Sequence, residues 1–131
     1  ERLSMSLFLC PPTFSQLIAI KAFDNYDVLN KNVLIYKKNR DLLINSFEDM
    51  GFSEYAPPDG AFYLYIDVSN ITDDSKEFAI KLLKEAGVSS TPGKDFDYNL
   101  GSRFIRFSYG GSHQEVFEGA KRIKNWIQTK N

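Results

Sequence analysis

The segment from Arg103 to Tyr109 constrains the fold most, because it combines the pattern of a buried strand with a central charge. Side chains alternate between the two faces of a strand, so Ile105 and Phe107 share one face while Arg106 lies on the other. An apolar face predicts burial against a core, whereas a guanidinium is costly to bury unless it meets an anion. We therefore expect Arg106 to meet a carboxylate or a phosphate, from the protein or from a ligand. Arg103 is expected to be the exposed arginine, at the mouth of the strand.

The rest of the chain alternates between helical and extended patterns. Apolar residues at steps of three and four predict four helices, whereas a period of two between residues 61 and 68 predicts a strand. The predicted order is a helix at about 13–23, a long helix at about 27–50, the strand at 61–68, a helix at about 75–86, a short extended segment at 88–91, the arginine-bearing strand and a helix at about 113–127.

N-capping residues predict where these helices begin. Thr13 with Gln16, and Ser112 with Glu115, match the capping box, in which the first side chain binds the backbone N–H three residues later. Asp74 is the predicted N-cap of the helix that starts near residue 75. We read the acidic pair at 73–74 in this way rather than as a pair of catalytic carboxylates.

These elements predict an α+β fold (α/β two-layer), in which a small, mostly antiparallel three-stranded sheet carries helices on one face. The other face would carry Arg106, Tyr63 and Tyr65, and would be left open for a ligand or for a partner domain. A chain of 131 residues is long enough for one hydrophobic core.

Composition narrows the classes of function. The net charge is −1 with both signs mixed along the chain, which does not favour nucleic-acid binding. The apolar runs are too short to span a bilayer, so no membrane partner is expected. Cys10 is the single cysteine, so neither an internal disulfide nor a cysteine-cluster metal site is expected. The expected location is cytoplasmic.

No complete catalytic or metal-binding set is visible in the sequence. His113 is the only histidine and is expected at the surface, in the first turn of the last helix. Asp95 and Asp97 lie in a loop without the ligand spacing of a calcium site. The glycines at 110–111 match no phosphate-loop motif and are expected to form a strand-to-helix turn. Arg106 is therefore the one candidate binding residue.

Four blocks of sequence occur in a recognisable order: Pro-Asp-Gly-Ala-Phe-Tyr at 58–63, a helix and short strand at 75–88, Thr-Pro-Gly-Lys-Asp-Phe at 91–96 and Phe-Ile-Arg-Phe-Ser-Tyr at 104–109. Together they resemble the class I/II aminotransferases of the aspartate aminotransferase type. These are fold-type-I enzymes that use pyridoxal 5′-phosphate (PLP). The resemblance covers nearly the whole chain.

The resemblance implies the C-terminal small domain of such an enzyme. It places the end of the large domain and the crossover helix at 1–23, and the small domain at 24–131. It implies that Arg106 binds the α-carboxylate of the substrate, that PLP is held mainly by the large domain, that the substrates are an amino acid and a 2-oxo acid, and that the intact enzyme is a homodimer. The family's Ser-x-x-Lys motif, which carries the PLP lysine, does not occur in this sequence. We therefore assign no catalytic, cofactor-binding or metal residue here and expect this part alone to be inactive.

Two other readings stay open at this point. The chain could be an amino-acid-sensing module that binds its ligand through Arg106 without catalysis. It could also be an interaction domain in which Arg106 forms a structural salt bridge. The side chain of the substrate is not specified by the sequence, and aspartate, aromatic amino acids and alanine all remain open.

Overall fold

The computed structural model describes residues 3, 6, 7 and 10–130. The chain divides into two compact units, Glu1–Val33 and Leu34–Asn131. Its elements, in chain order, are α1 (Thr13–Ala22), a 3₁₀ turn (Phe23–Asn25), α2 (Tyr26–Asp49), β1 (Tyr63–Asp67), α3 (Ser75–Ala86), β2 (Thr91–Pro92), two further 3₁₀ turns (Gly93–Asp95 and Gly101–Arg103), β3 (Phe104–Ser108) and α4 (His113–Gln128).

The first unit shows that one predicted cap is wrong. Thr13 is the first residue of α1 rather than its N-cap; Pro12 occupies that position, and no side chain caps the helix. Proline offers no side-chain acceptor, and the side-chain amide of Gln16 turns back to donate to the carbonyl of Pro11 over 2.8 Å. None of the residues of α1 is buried.

The sheet of the second unit has the strand order β1–β3–β2, and both pairings are antiparallel among the described residues. The predicted small antiparallel sheet is therefore confirmed. β1 begins two residues later than predicted, because Ala61 has a positive φ of 54° and cannot continue an extended strand.

The helices cover one face of this sheet, as predicted. Leu64 and Ile66 of β1, together with Ile105 of β3, are fully buried. They pack in one core with side chains from α2, α3 and α4, which include Leu43, Phe47, Phe78, Leu82, Val116, Ala120, Ile123 and Ile127. Side chains alternate between the two faces of a strand, so the covered face carries residues 64 and 66 of β1 and residues 105 and 107 of β3.

Two of the predicted helix starts are confirmed. Asp74 caps α3, and its carboxylate accepts hydrogen bonds from the backbone N–H groups of residues 76 and 77. Ser112 and Glu115 form the reciprocal capping box of α4, which fixes the turn that follows β3. None of the helices in the described ranges combines the length and the apolar character needed to cross a membrane.

Candidate functional site

Arg106 lies at the centre of the open face of the sheet. Its strand, β3, is the middle strand, and Arg106 is directly opposite Tyr65 on β1 and Thr91 on β2. The side chain is half-buried. The only hydrogen bond of its guanidinium within the described part of the chain is a long one, 3.4 Å from Nη2 to the hydroxyl of Thr91.

Two aromatic rings contact the Arg106 guanidinium. Its Cζ atom lies over the ring of Tyr63, 4.2 Å from the centroid, and over the ring of Phe96, 4.4 Å from the centroid. Tyr63 reaches this position because it lies two residues before Tyr65 on β1, and so faces the same side of the sheet. Phe96 comes from the loop that joins β2 to β3. Cation–π attraction to these rings stabilises the charge in the absence of an anion.

No ion pair between described residues includes Arg106. The neighbouring Arg103 differs: its Nη2 lies 2.6 Å from Oδ2 of Asp67, whose side chain is only 7% exposed. Half of the Arg103 side chain is exposed, as predicted. The structural salt bridge at this end of the sheet therefore belongs to Arg103, and the reading that assigns one to Arg106 finds no partner here.

Asp67 is held as a carboxylate by several contacts. Burial raises the pKa of the Asp67 carboxyl, but hydrogen bonds from Ser69 and the charge of Arg103 lower it by more. The net pKa is thus below the usual value. Asp67 therefore binds Arg103 and Ser69, and it does not pair with Arg106 at the centre of the open face.

The loop that carries Phe96 is closed by two glycines. A β-carbon placed on Gly93 would lie 2.6 Å from the carbonyl oxygen of Gly101 and 2.7 Å from that of Phe104. Such an approach leaves no room for any side chain. The Asp97 carboxylate accepts bonds from the backbone N–H groups of residues 99 and 100, so it has the structural role of a turn-forming residue rather than that of a ligand.

Tyr65 supports the site from one side. Its ring stacks on that of Phe104 with centroids 4.8 Å apart, and it meets the edge of Phe96 at 6.5 Å. Its buried hydroxyl has no hydrogen-bond partner among the described residues. Burial raises the pKa of Tyr65, and the charge of Asp97 adds to this effect. Tyr65 is therefore a neutral, apolar wall at physiological pH.

A buried polar group fixes the far end of β3. Asn39 of α2 is fully buried, and its amide donates to the carbonyls of Tyr109, over 3.1 Å, and Gly111, over 2.9 Å. Its side-chain oxygen lies 2.9 Å from Nδ1 of His113. His113, an exposed residue as predicted, thus has a structural partner. Residues 3, 6, 7 and 10–130 contain no cluster of His, Cys, Asp and Glu side chains suited to a metal ion.

Sequence reasoning placed Tyr63 and Tyr65 on the face of Arg106 without assigning them a role, and it did not place Phe96 there. The sequence indicates the position of Tyr63, because the alternation of β1 places it on the same face as Arg106. Phe96 had a weaker signal, as the aromatic residue of the Pro-Gly-x-x-Phe loop. The contact of each ring with the guanidinium depends on the path of a loop and on rotamers, which a sequence pattern does not specify.

Comparison with known proteins shows which protein family this chain is related to. The sequence profile of the family described as "Aminotransferase class I and II" matches residues 2–123. A valine–pyruvate aminotransferase of Mycobacterium tuberculosis is 40% identical over 124 residues, which are 93% of this chain and 32% of that protein. A (5-formylfuran-3-yl)methyl phosphate transaminase of Methanocaldococcus jannaschii is 38% identical over 128 residues, covering 96% of this chain and 33% of that protein.

Solved structures agree with the sequence comparison. The crystal structure of an aminotransferase from Mycobacterium tuberculosis superposes with a TM-score of 0.88 at 39% identity, covering 97% of this chain and 33% of that one. The chain therefore spans about a third of the length of these relatives.

Proposed function

The chain belongs to the class I and II aminotransferase family, and from this premise we propose that it is the C-terminal part of a PLP-dependent transaminase, in which Arg106 binds the α-carboxylate of the substrate. In this proposal residues 24–131 form the small domain, and residues 1–23 form the end of the large domain and the crossover helix. The substrates are an amino acid and a 2-oxo acid. The intact enzyme is a cytoplasmic homodimer.

The observation that supports the proposal best is the position of the Arg106 guanidinium and the partners that it binds. It lies on the open face of the sheet, without a carboxylate partner among the described residues and with one long bond to Thr91. The planar fork of arginine matches a carboxylate with two parallel hydrogen bonds. A bound substrate carboxylate would supply the anion that the sequence pattern of β3 requires, and would orient the amino group next to it.

The residues of the open face do not fit PLP itself. None of the side chains that the three described strands present on this face is a lysine, and a lysine amine is the group that forms an imine with an aldehyde cofactor. PLP supplies an electron sink for transamination. In our proposal it is held by the large domain, and this chain contributes the grip on the substrate.

The alternative, an amino-acid-sensing module without catalysis, uses the same arginine. It makes a different prediction, because a sensing module binds amino acids without PLP, whereas our proposal requires the remainder of the enzyme. The similar proteins and structures are named as aminotransferases, and this favours the catalytic proposal.

The proposal is tested with Arg106→Met in the full-length protein loaded with PLP. Charge-assisted hydrogen bonds contribute about 1.5–3 kcal/mol each, so losing two of them should lower kcat/KM for the amino acid by about 100-fold or more. The assay measures initial rates with alanine, aspartate and phenylalanine as donors and 2-oxoglutarate as acceptor.

Arg122→Met is the matched control. Arg122 is a half-exposed arginine of α4, paired with Glu118 over 2.9 Å, and its removal changes the net charge equally. The control should leave kcat/KM within about twofold, because exposed helix pairs contribute little. A kcat/KM for Arg106→Met that equals the wild-type value would show that the carboxylate is bound elsewhere.

A further inference from the structure

Two rings from separate segments converge on one cation. Tyr63 comes from β1 and Phe96 from the loop after β2, and the Arg106 Cζ atom lies within 4.4 Å of both ring centroids. We propose that Tyr63 and Phe96 are positioning residues that hold the Arg106 guanidinium ready for a carboxylate. This inference rests on the proposed function of Arg106 and adds the groups that set its affinity.

Aromatic rings suit this role because they stabilise the cation without using its donors. The five N–H groups of arginine lie in the plane of the guanidinium, whereas a ring attracts the charge through its π face. A protein carboxylate in the same place would occupy the fork and compete with the substrate. Arg103 illustrates that competing arrangement, since Asp67 already binds its Nη2 at 2.6 Å.

Holding the side chain in advance strengthens the binding of an anion. A free arginine side chain loses rotamer freedom when it is fixed by a ligand, and this loss weakens affinity. Contacts that restrict the side chain before binding reduce the loss. The long bond to Thr91, at 3.4 Å, is too weak to do this alone, so the two rings carry most of the restraint.

Phe96 is itself held in place by its loop. Its backbone N–H donates to the carbonyl of Gly93 over 2.9 Å, which fixes the start of the turn. The edge contact with Tyr65, at 6.5 Å between centroids, supports the ring from the sheet side. The close approach of Gly93 and Gly101 closes the base of the loop. The position of Phe96 is therefore determined by backbone geometry as well as by ring contacts.

Phe96 is the better residue to test. About half of its surface is exposed, so a substitution there removes a ring without opening the core. Tyr63, in contrast, also packs against Phe62 with centroids 4.5 Å apart, and its replacement would disturb β1.

The experiment compares Phe96→Leu, Phe96→Met and Phe96→Tyr in the full-length protein loaded with PLP. The two aliphatic variants should raise KM for the best of the three amino-acid donors about five- to tenfold, equivalent to roughly 1–1.4 kcal/mol. Their kcat should stay within about twofold of the wild-type value. Phe96→Tyr keeps the ring and should retain the wild-type KM.

A binding measurement provides a readout independent of turnover. 2-Methylalanine carries the carboxylate but has no α-hydrogen to transfer, so its Kd is obtained by calorimetric titration of the same proteins. The Kd should rise by the same factor in Phe96→Leu and Phe96→Met. Tyr98→Leu is the matched control, because it removes a fully exposed ring from the same loop, and it should change neither KM nor Kd.

The outcomes separate the inference from the function it rests on. If both aliphatic variants keep the wild-type KM and Kd while Arg106→Met loses activity, the positioning role is wrong and the carboxylate-binding role stands. A loss of kcat at unchanged KM would also overturn the inference. If Arg106→Met keeps wild-type kcat/KM, the proposed function itself falls.

Discussion

The two arginines near the open face of the sheet differ in their partners. Arg103, which directly precedes β3, and Asp67 neutralise one another at one end of the face, whereas Arg106, within β3, contacts rings and a hydroxyl. The difference follows from which strand position a carboxylate can reach. Asp67 is opposite Phe104 in the register of β1 and β3, and this places its carboxylate next to Arg103 and away from Arg106.

The first prediction concerns the pH dependence that Asp67 adds to stability. Its pKa is lower in the folded chain than in the unfolded one, where an aspartate has a pKa of about 3.9. The folded state therefore binds fewer protons in this range, and the stabilisation is complete above the unfolded pKa and is lost as the pH falls through the folded pKa. Asp67→Asn should be less stable than the wild type at pH 7, and the difference should shrink below about pH 4.

Urea unfolding between pH 7 and pH 3, followed through the fluorescence of Trp126, measures this effect, because Trp126 is the only tryptophan of the chain and is buried. Asp59→Asn makes the same chemical change in the exposed turn before β1, so it is the control and should unfold near the wild-type urea midpoint at pH 7. A constant difference in stability between wild type and Asp67→Asn across the whole range would contradict the account of Asp67.

At the scale of elements, Asn39 ties α2 to the end of β3. Both N–H groups of its amide bind backbone carbonyls that precede α4. A buried acceptor without a donor is costly, so this side chain stabilises the turn between β3 and the capping box of Ser112. The strand that carries Arg106 is thereby anchored at its C-terminal end.

Asn39→Ala should destabilise the chain by about 2–4 kcal/mol, because it leaves the buried carbonyl of Tyr109 and the partly buried carbonyl of Gly111 without this donor and opens a cavity. Asn45→Ala, at an exposed position of the same helix, should be neutral or slightly stabilising. Urea midpoints read from Trp126 fluorescence give both values. Equal midpoints for Asn39→Ala and the wild type would show that water or backbone movement replaces the lost bonds.

Elements were predictable from the sequence where a local pattern determines them. The alternation in β3 correctly placed Ile105 and Arg106 on opposite faces, and Ser112 capped α4 as expected, because its partner Glu115 lies within the same turn. Thr13 did not cap α1, although the motif is the same, because the preceding prolines fix the backbone and Pro12 takes the capping position. Phe96 could not be placed on Arg106, since that contact depends on the path of a loop between two strands.

At the scale of the whole molecule, the exposed apolar surface of the first unit stands out. Large apolar side chains more than half exposed there include Phe14, Leu17, Ile18, Ile20, Phe23, Tyr26, Val28 and Val33. An accumulation of large exposed apolar side chains is typical of a site of interaction. The chain spans about a third of its relatives, and in the function proposed above a large domain would cover these residues.

The last prediction follows from this division of the enzyme. This chain, incubated with PLP and reduced with borohydride, should show no lysine labelled in stoichiometric amount and should not transaminate any of the three donors. The full-length protein under the same conditions should yield one labelled lysine outside this chain, found by peptide mass mapping. Stoichiometric labelling of a single lysine within residues 1–131 would place the PLP lysine in this chain and contradict the proposed division.

The contact between Gly93 and Gly101 has a consequence for how such enzymes diversify. The two glycines join the ends of the loop at its base and Asp97 forms its turn, so replacements among residues 98–100 need not shift β3 or the arginine that it carries. The tip of the loop is thus free to vary while the position of Arg106, the proposed carboxylate-binding residue, stays constant. In the proposed function, laboratory evolution aimed at new amino donors could therefore randomise the tip of the loop and keep both glycines and Phe96. The variants would still bind the α-carboxylate that all amino-acid donors share.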